Sequence, residues 1–381
     1  MSRKENVENA FTERFGYQSS GIFHGPGRVN LIGDHTDYND GFVLPAAINF
    51  GTDIAASLRE DRRVRVLALD CNGESSEFSL DEIAFDQEKM WVNYVGGSLL
   101  ALMKVYPDIR GVDMVISGNV PLGAGLSSSA SLEIAILKTV AALNNLPLDG
   151  VKAALMGQDA ENNFVGCNCG IMDQLISAMG KDGHAMLLDC RSLTFEDVPV
   201  PPDLEIVIIN SNVKRGLVDS EYNTRRQQCE TVAKTLEKPA LRDLTIEDLE
   251  ANKRQLDDVS YRRARHVITE NDRARDTLGA LIEKDTARLS TLMKASHESL
   301  RDDFEVTTKE LDGLVSMIDE IIGESGGVRM TGGGFGGCVV ALAPKEKVQQ
   351  VFDVVSTEYP KQFGLTPDIY VCRTAPGAFR E

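Results

Sequence analysis

Along the chain, hydrophobic and polar positions alternate between two periods. Residues 63–69 (RVRVLAL) set apolar positions against polar or small ones at every second place, and 112–117 (VDMVIS) is a short run rich in branched side chains. Both patterns predict β-strands. Over 126–143, Leu132, Ala135, Ile136, Val140 and Leu143 fall at i, i+3, i+4, i+8 and i+11, which places them on one stripe of a helix. The same reasoning predicts helices over Ala153–Phe164 and Met172–Met179, and strands at His184–Asp189 and Glu205–Asn210. From about Glu221 to Glu324 the pattern gives way to long charged runs such as Ser260–Asp276 (SYRRARHVITENDRARD), rich in helix formers and poor in strand signals. Mixed strand and helix then return. VPVPP at Val198–Pro202 reads as a linker or edge segment. The expected fold is therefore α+β in two parts, 1–200 and 201–381.

Composition narrows the function classes. Hydrophobic residues make up 42% and charged residues 26% of 381, which excludes a disordered chain and a disulfide-stapled miniprotein. Forty Lys and Arg stand against 58 Asp and Glu, a formal charge of −18. Such a surface repels phosphate backbones, so no nucleic-acid partner is expected. An anionic small molecule would need local positive charge, a helix N-terminus or a metal to receive it. The most apolar stretch, Leu132–Leu143, is interrupted by Glu133 and Lys138, so no membrane span is expected. Residues 1–15 carry no apolar run of a secretory signal. Seven cysteines, scattered singly apart from Cys167 and Cys169, lack framework spacing and suggest reduced thiols in the cytosol. A CxC pair can bind metal, but no second Cys or His pair lies nearby; buried small hydrophobes are the simpler reading.

Three glycine-bearing segments concentrate the polar chemistry. Pro26–Gly41 (PGRVNLIGDHTDYNDG) brings Arg28, Asp34, His35, Asp37 and Asn39 within twelve residues. Short donors and acceptors in this density suit a hydroxyl-rich ligand, whose every hydroxyl must regain the hydrogen bonds it had to water; a polar turn between strands is the simpler alternative. Gly118–Ser131 (GNVPLGAGLSSSAS) lies between the strand at 112–117 and the helix from 126. Gly123 and Gly125 permit close backbone approach, and Ser127–Ser129 sit where unpaired N–H groups and the helix dipole favour an anion. No Walker A pattern and no G-x-S-x-G elbow is present. A glycine-rich N-cap explains part of it, but a triple serine exceeds what capping needs. Gly326–Gly337 (GGVRMTGGGFGG) holds seven glycines and runs straight into the apolar CVVAL, as a loop that wraps closely around a ligand or another backbone would. Two acids lie between these segments. Glu161, late in its helix, reads singly as a solvated helix residue, and Asp173 as a dipole-stabilised carboxylate of a first helical turn.

Taken together, GRVNLIGxHTDYN, PxGAGLSSSAS, the CGIMDQ stretch, SEYNTRR at Ser220–Arg226 and RMTGGGFGG resemble the galactokinases of the GHMP sugar and metabolite kinase superfamily, in the family's order and over nearly the whole chain. The resemblance implies two domains, each a mixed, mainly antiparallel sheet packed with helices, with the active site in the cleft between them. It implies transfer of the γ-phosphoryl of ATP to the C1 hydroxyl of α-D-galactose, with no obligate protein partner. In that reading Gly123, Ala124, Gly125, Leu126, Ser127, Ser128 and Ser129 cradle the ATP phosphates, and Ser129 and Glu161 match Mg²⁺ ligands. Asp173 matches the catalytic base, Arg28 the residue beside it, and Asp34, His35, Thr36, Asp37, Gly170 and Tyr222 match galactose-contacting positions. The final glycine loop is expected to pack against the phosphate loop. One departure stands out: the family usually has Glu where this chain has Asp34. The shorter arm suggests a water-mediated sugar contact there, and Asp34→Glu is expected to lower KM for the sugar with little change in kcat. A kinase for N-acetylgalactosamine or arabinose, or a non-catalytic sugar sensor, remains a competing reading. Such sensors have lost residues of the serine segment, which is complete here at Ser127–Ser131.

Overall fold

A computed structural model describes residues 2–121, 125–214 and 218–380. The first helix, α1 (Arg3–Phe15), begins at a capping box in which Ser2 and Glu5 satisfy each other's backbone N–H groups. The elements that follow are β1 (Gly21–Asn30), β2 (Phe42–Val43), β3 (Pro45–Leu58), β4 (Arg63–Ala68), β5 (Glu74–Ser79), α2 (Met90–Met103), β6 (Val112–Gly118), α3 (Ser128–Leu143) and α4 (Gly150–Asp159). A π-helical turn over Ala160–Val165 then leads to α5 (Met172–Met179), β7 (His184–Asp189), β8 (Phe195–Pro199) and β9 (Leu204–Asn210). The charged region folds as α6 (Val218–Thr235), α7 (Ile246–Ala251), α8 (Asp258–Glu283), α9 (Thr286–Asp302) and α10 (Lys309–Ile322). The chain ends with β10 (Gly327–Thr331), β11 (Cys338–Pro344), α11 (Val348–Phe363) and β12 (Asp368–Cys372).

Among the described residues three sheets result, with strand orders β1-β3-β6-β4-β5, β2-β7-β8 and β10-β11-β9-β12. All described pairings are antiparallel except β4 with β6. One core gathers side chains from β3, β4, β6, α2, α3 and α5, and a second gathers β9, β10, β11 with the helices of the charged region. A third joins the two halves, with Val29, Leu44 and Ile48 packed among Ile206, Met293 and Leu342. The fold is thus the expected α+β arrangement of mixed, mainly antiparallel sheets and helices. Beyond β12 the chain turns back to the first half: Ala375 N–H donates to Ala47 O (2.9 Å), Gly377 N–H to Gly180 O (2.8 Å), and Arg380 pairs with Asp197 (2.7 Å).

Most sequence-derived elements stand, with two corrections. The helix expected from 126 begins at Ser128. The one expected over Ala153–Phe164 is regular only to Asp159 and widens into the π turn. The charged run Ser260–Asp276 is helical as expected, within α8, and buries Arg263, His266, Glu270 and Asn271. Close packing of α3 over β1 depends on Gly25, where a Cβ would stand 2.3 Å from Ser131 O.

Candidate active site

The strand β1 and helix α5 bring together two residues 145 positions apart. Arg28 Nε donates to Asp173 Oδ1 (2.7 Å) and Arg28 Nη2 to Asp173 Oδ2 (2.6 Å), a bidentate pair with fixed geometry. Arg28 is buried; burial disfavours its charge, and the Asp173 carboxylate more than offsets this, raising the Arg28 pKa on balance. The pair stands in a cavity of about 260 Å³. Asp34, His35 and Asp37 reach it from the loop after β1, and Glu161 from the π turn. Cys167, Cys169 and Gly170 come from the strap before α5, Tyr222 from α6, and Gly332 and Gly333 from the final glycine loop. Both halves of the chain therefore wall one cavity. Gly170 is needed where it stands, since a Cβ there would lie 2.0 Å from Asp37 Oδ2.

Each polar wall residue is held from behind. Asp34 accepts from Asn30 Nδ2 (2.9 Å), from Gly332 N–H (3.3 Å) and from Arg329 Nη2 (2.5 Å). Arg329 is fully buried and also donates to Ser296 Oγ (3.1 Å) and Leu31 O (3.2 Å). Ser296 donates in turn to Glu270 (2.6 Å), whose carboxylate accepts Gly33 N–H (2.9 Å). The His35 ring shares a hydrogen bond with Tyr38 Oη (2.8 Å) and packs against Phe304 and Tyr222. Burial, reinforced by His266, pushes its pKa down to about 3, so the imidazole stays neutral. Burial, and then the neighbouring Asp173, push Asp37 up to about 6.

Asp34 is thus more than a short arm toward the cavity. In Asp34→Glu the added methylene must be seated inside a buried ion pair. The variant should keep the lower sugar KM expected above but lose about 1–3 kcal/mol of stability, measured by chemical denaturation without ligand.

On the loop leading into α3, the Gly125 carbonyl accepts from Arg28 Nη1, and Leu126 O accepts Arg28 N–H (3.1 Å). The Leu126 side chain belongs to the core. Ser127 Oγ donates to Asp173 Oδ2 (2.5 Å). Ser128 opens α3, and the Ser129 hydroxyl stands near enough to Glu161 to favour its ionised form. Gly123 and Ala124 lie outside the described residues. Thr36 is not part of the cavity wall: it is fully buried, and its hydroxyl faces Gly33 O and Phe42 O (2.7 Å each).

Glu161 is not the solvated residue its helix position suggested. It is buried beside Glu133, and burial followed by the Asp173 charge raises its pKa. Gln174 Nε2 donates to Glu161 (2.7 Å) and to Glu133 (3.0 Å), and Glu133 Oε1 is buried without a hydrogen-bond partner. Two buried carboxyls whose ionised forms are disfavoured by burial and by each other, edged by a hydroxyl, are a donor set that a hard cation would relieve. Among the described residues no group of three or more His, Cys, Asp or Glu side chains could hold a metal by itself. Two oxygen donors match the habit of Mg²⁺, which takes one or two carboxylates plus substrate phosphates. Cys167 is exposed and Cys169 half-buried, so the buried-hydrophobe reading fails for this pair.

Sequence reasoning missed Glu133, Gln174, Glu270 and Arg329. Glu133 carried a signal, a carboxylate within an apolar helix four residues after Ser129; so did Arg329, a charge inside a buried strand.

Family models match over three stretches: the galactokinase galactose-binding signature at 9–58, the GHMP kinase N-terminal domain at 93–181 and the GHMP kinase C-terminal domain at 277–361. A galactokinase from Lactococcus lactis, crystallised with galactose, is 37% identical over 97% of this chain and 97% of its own, with a TM-score of 0.92. The Methanococcus jannaschii mevalonate kinase, 20% identical over 93% of this chain and 98% of its own, shares the fold with a TM-score of 0.64. A D-glycero-D-manno-heptose 1-phosphate kinase from Bacteriodes thetaiotaomicron does so at 14% identity over 93% of this chain and 97% of its own, with a TM-score of 0.62. Motif order, cavity and overall match agree, and the chain belongs to the galactokinase family of GHMP kinases.

Proposed function

We propose that this cavity transfers the γ-phosphoryl of ATP to the C1 hydroxyl of α-D-galactose, giving α-D-galactose 1-phosphate and ADP. The observation that carries the reading is the bidentate Arg28–Asp173 pair, set between a polar wall suited to a sugar and the serine-led start of α3. The related Lactococcus lactis enzyme, crystallised with galactose, supports the choice of sugar.

Asp173 orients the C1 hydroxyl and accepts its proton as the sugar oxygen bonds to phosphorus and the bond to the ADP oxygen breaks. A carboxylate is a weak base for an alcohol. In a loose phosphoryl-transfer transition state the nucleophile needs little prior deprotonation, so a late proton transfer suffices. Arg28, fixed by the same pair, places positive charge beside the moving phosphoryl. Ser129 and Glu161 would hold Mg²⁺, which supplies charge neutralisation at the phosphates when bound. The first turn of α3, with Gly123–Ser129, receives the phosphates through backbone N–H groups. Asp34, His35, Asp37, Gly170 and Tyr222 line the sugar's side, while Thr36 holds their loop in shape. Residues 1–200 and 201–381 act as the two lobes of the site. The protein is taken to work in the cytosol; none of its seven cysteines forms a disulfide, and among the described residues no helix is long and apolar enough to cross a membrane.

The test is an ADP-release assay with galactose, glucose, arabinose and N-acetylgalactosamine, each with and without Mg²⁺. Galactose with Mg²⁺ should give the highest kcat/KM; preference for another sugar would overturn the substrate assignment. Asp37 adds a pH prediction. Ionised, it accepts charge-assisted hydrogen bonds from sugar hydroxyls, and protonation near pH 6 weakens them. KM for galactose should rise about tenfold below that pH, and Asp37→Asn should abolish the step.

A further inference from the structure

The residue that leads into α3 is built against its own local preferences. Ser127 has φ 60° and ψ 61°, the left-handed region that an L-residue with a Cβ occupies at a cost. It stands at the N-cap, where a serine hydroxyl ordinarily accepts a hydrogen bond from the first helical turn. Here it makes no such bond. The hydroxyl donates instead to Asp173 Oδ2 at 2.5 Å. Two local penalties are accepted for one contact, to a group 46 residues away.

That contact makes the two carboxylate oxygens unequal. Among the described residues, Oδ2 receives Arg28 Nη2 and Ser127 Oγ, whereas Oδ1 receives only Arg28 Nε. A carboxylate oxygen has two lone-pair sites in the carboxyl plane. Oδ2 is therefore filled, and Oδ1 keeps one site open.

We propose that Ser127 is a positioning residue: by filling Oδ2 and fixing the carboxylate plane against Arg28, it leaves Oδ1 of Asp173 as the oxygen that takes the proton of the sugar hydroxyl. The proposal rests on the reading of Asp173 as the base. The proton passes from the C1 hydroxyl to Oδ1, the freed oxygen pair forms the new P–O bond, and the electron pair of the broken bond leaves with ADP. With Ser127 absent, the carboxylate keeps Arg28 but loses the donor that distinguishes its oxygens, and fewer encounters are aligned for transfer.

The experiment is a kinetic cycle on Ser127→Ala, Ser127→Gly, Asp173→Asn and the double variant Ser127→Ala/Asp173→Asn, with melting curves as the folding control. Ser127→Ala should lower kcat about 10- to 100-fold, with KM for galactose and for ATP within about threefold. Ser127→Gly relieves the backbone strain but also lacks the hydroxyl, and should lose kcat equally. In the Asp173→Asn background, Ser127→Ala should cost almost nothing more, because its effect passes through the carboxylate. A Ser127→Gly variant with wild-type kcat would show that strain alone matters and would overturn the proposal. So would a rise confined to KM for ATP, or an undiminished further loss in the double variant. Near-normal turnover by Asp173→Asn alone would instead remove the base assignment beneath it.

Discussion

Asp173→Asn should lower kcat by about 10²- to 10⁴-fold, the usual contribution of a positioned general base, while KM for galactose and ATP moves only a few-fold. The amide has almost the same shape, so the side chain still fits between β1 and α5. It cannot accept a proton at neutral pH, and its NH₂ group faces either Nε or Nη2 of Arg28, donor against donor. Arg28 is then buried without its counter-charge and turns from the moving phosphoryl, so chemistry suffers more than binding. A lower melting temperature should accompany the loss, because breaking a buried pair strands the partner's charge. Steady-state kinetics on protein shown to be folded by circular dichroism is the measurement. A folded variant turning over at near the parent rate would exclude Asp173 as proton acceptor.

Arg329→Met should be the most damaging substitution for stability, at about 3–5 kcal/mol. Methionine replaces the stem but none of the donors. Asp34 loses its buried counter-charge, and Leu31 O and Ser296 Oγ lose a partner each. Native domains are stable by only about 5–15 kcal/mol, so the variant should sit close to its unfolding threshold. Because Asp34 and the Gly33 turn share this network, surviving folded protein should also show a raised KM for galactose. Urea denaturation monitored by fluorescence tests the first effect, and a loss under about 1 kcal/mol would mean that water reaches Asp34 and replaces the arginine.

The strands and helices with a clean period were readable in advance: α5 matches its sequence-based range, and β7 and β9 do so to within a residue. The segments that line the cavity were also readable, because loops rich in Gly, Ser, Asp and His are too polar and too strained to be mere connectors. What could not be read was burial of charge. Glu270 and Arg273 lie in a run that by composition is a solvated helix, yet that face of α8 packs on the turn at Gly33. Periodicity registers apolar stripes, whereas a buried ionic stripe looks polar all round. The widening of the helix at Ala160–Val165 was equally hidden. Nothing local demands it, but it carries buried Glu161 at the cavity wall. The purpose of Ser127 was hidden for the same reason, since its partner lies 46 residues on and only the fold makes them neighbours.

The return of the chain end onto α5 bears on how the protein is made. The loop after α5 and the strand β3 find hydrogen-bond partners in residues 375 and 377, which are synthesised long after them. During synthesis the first half can collapse, but the backbone of Ala47 and Gly180 waits for a segment that does not yet exist. Synthesis of the segment after β12, rather than completion of the first sheet, is then the event that seals the structure beneath α5.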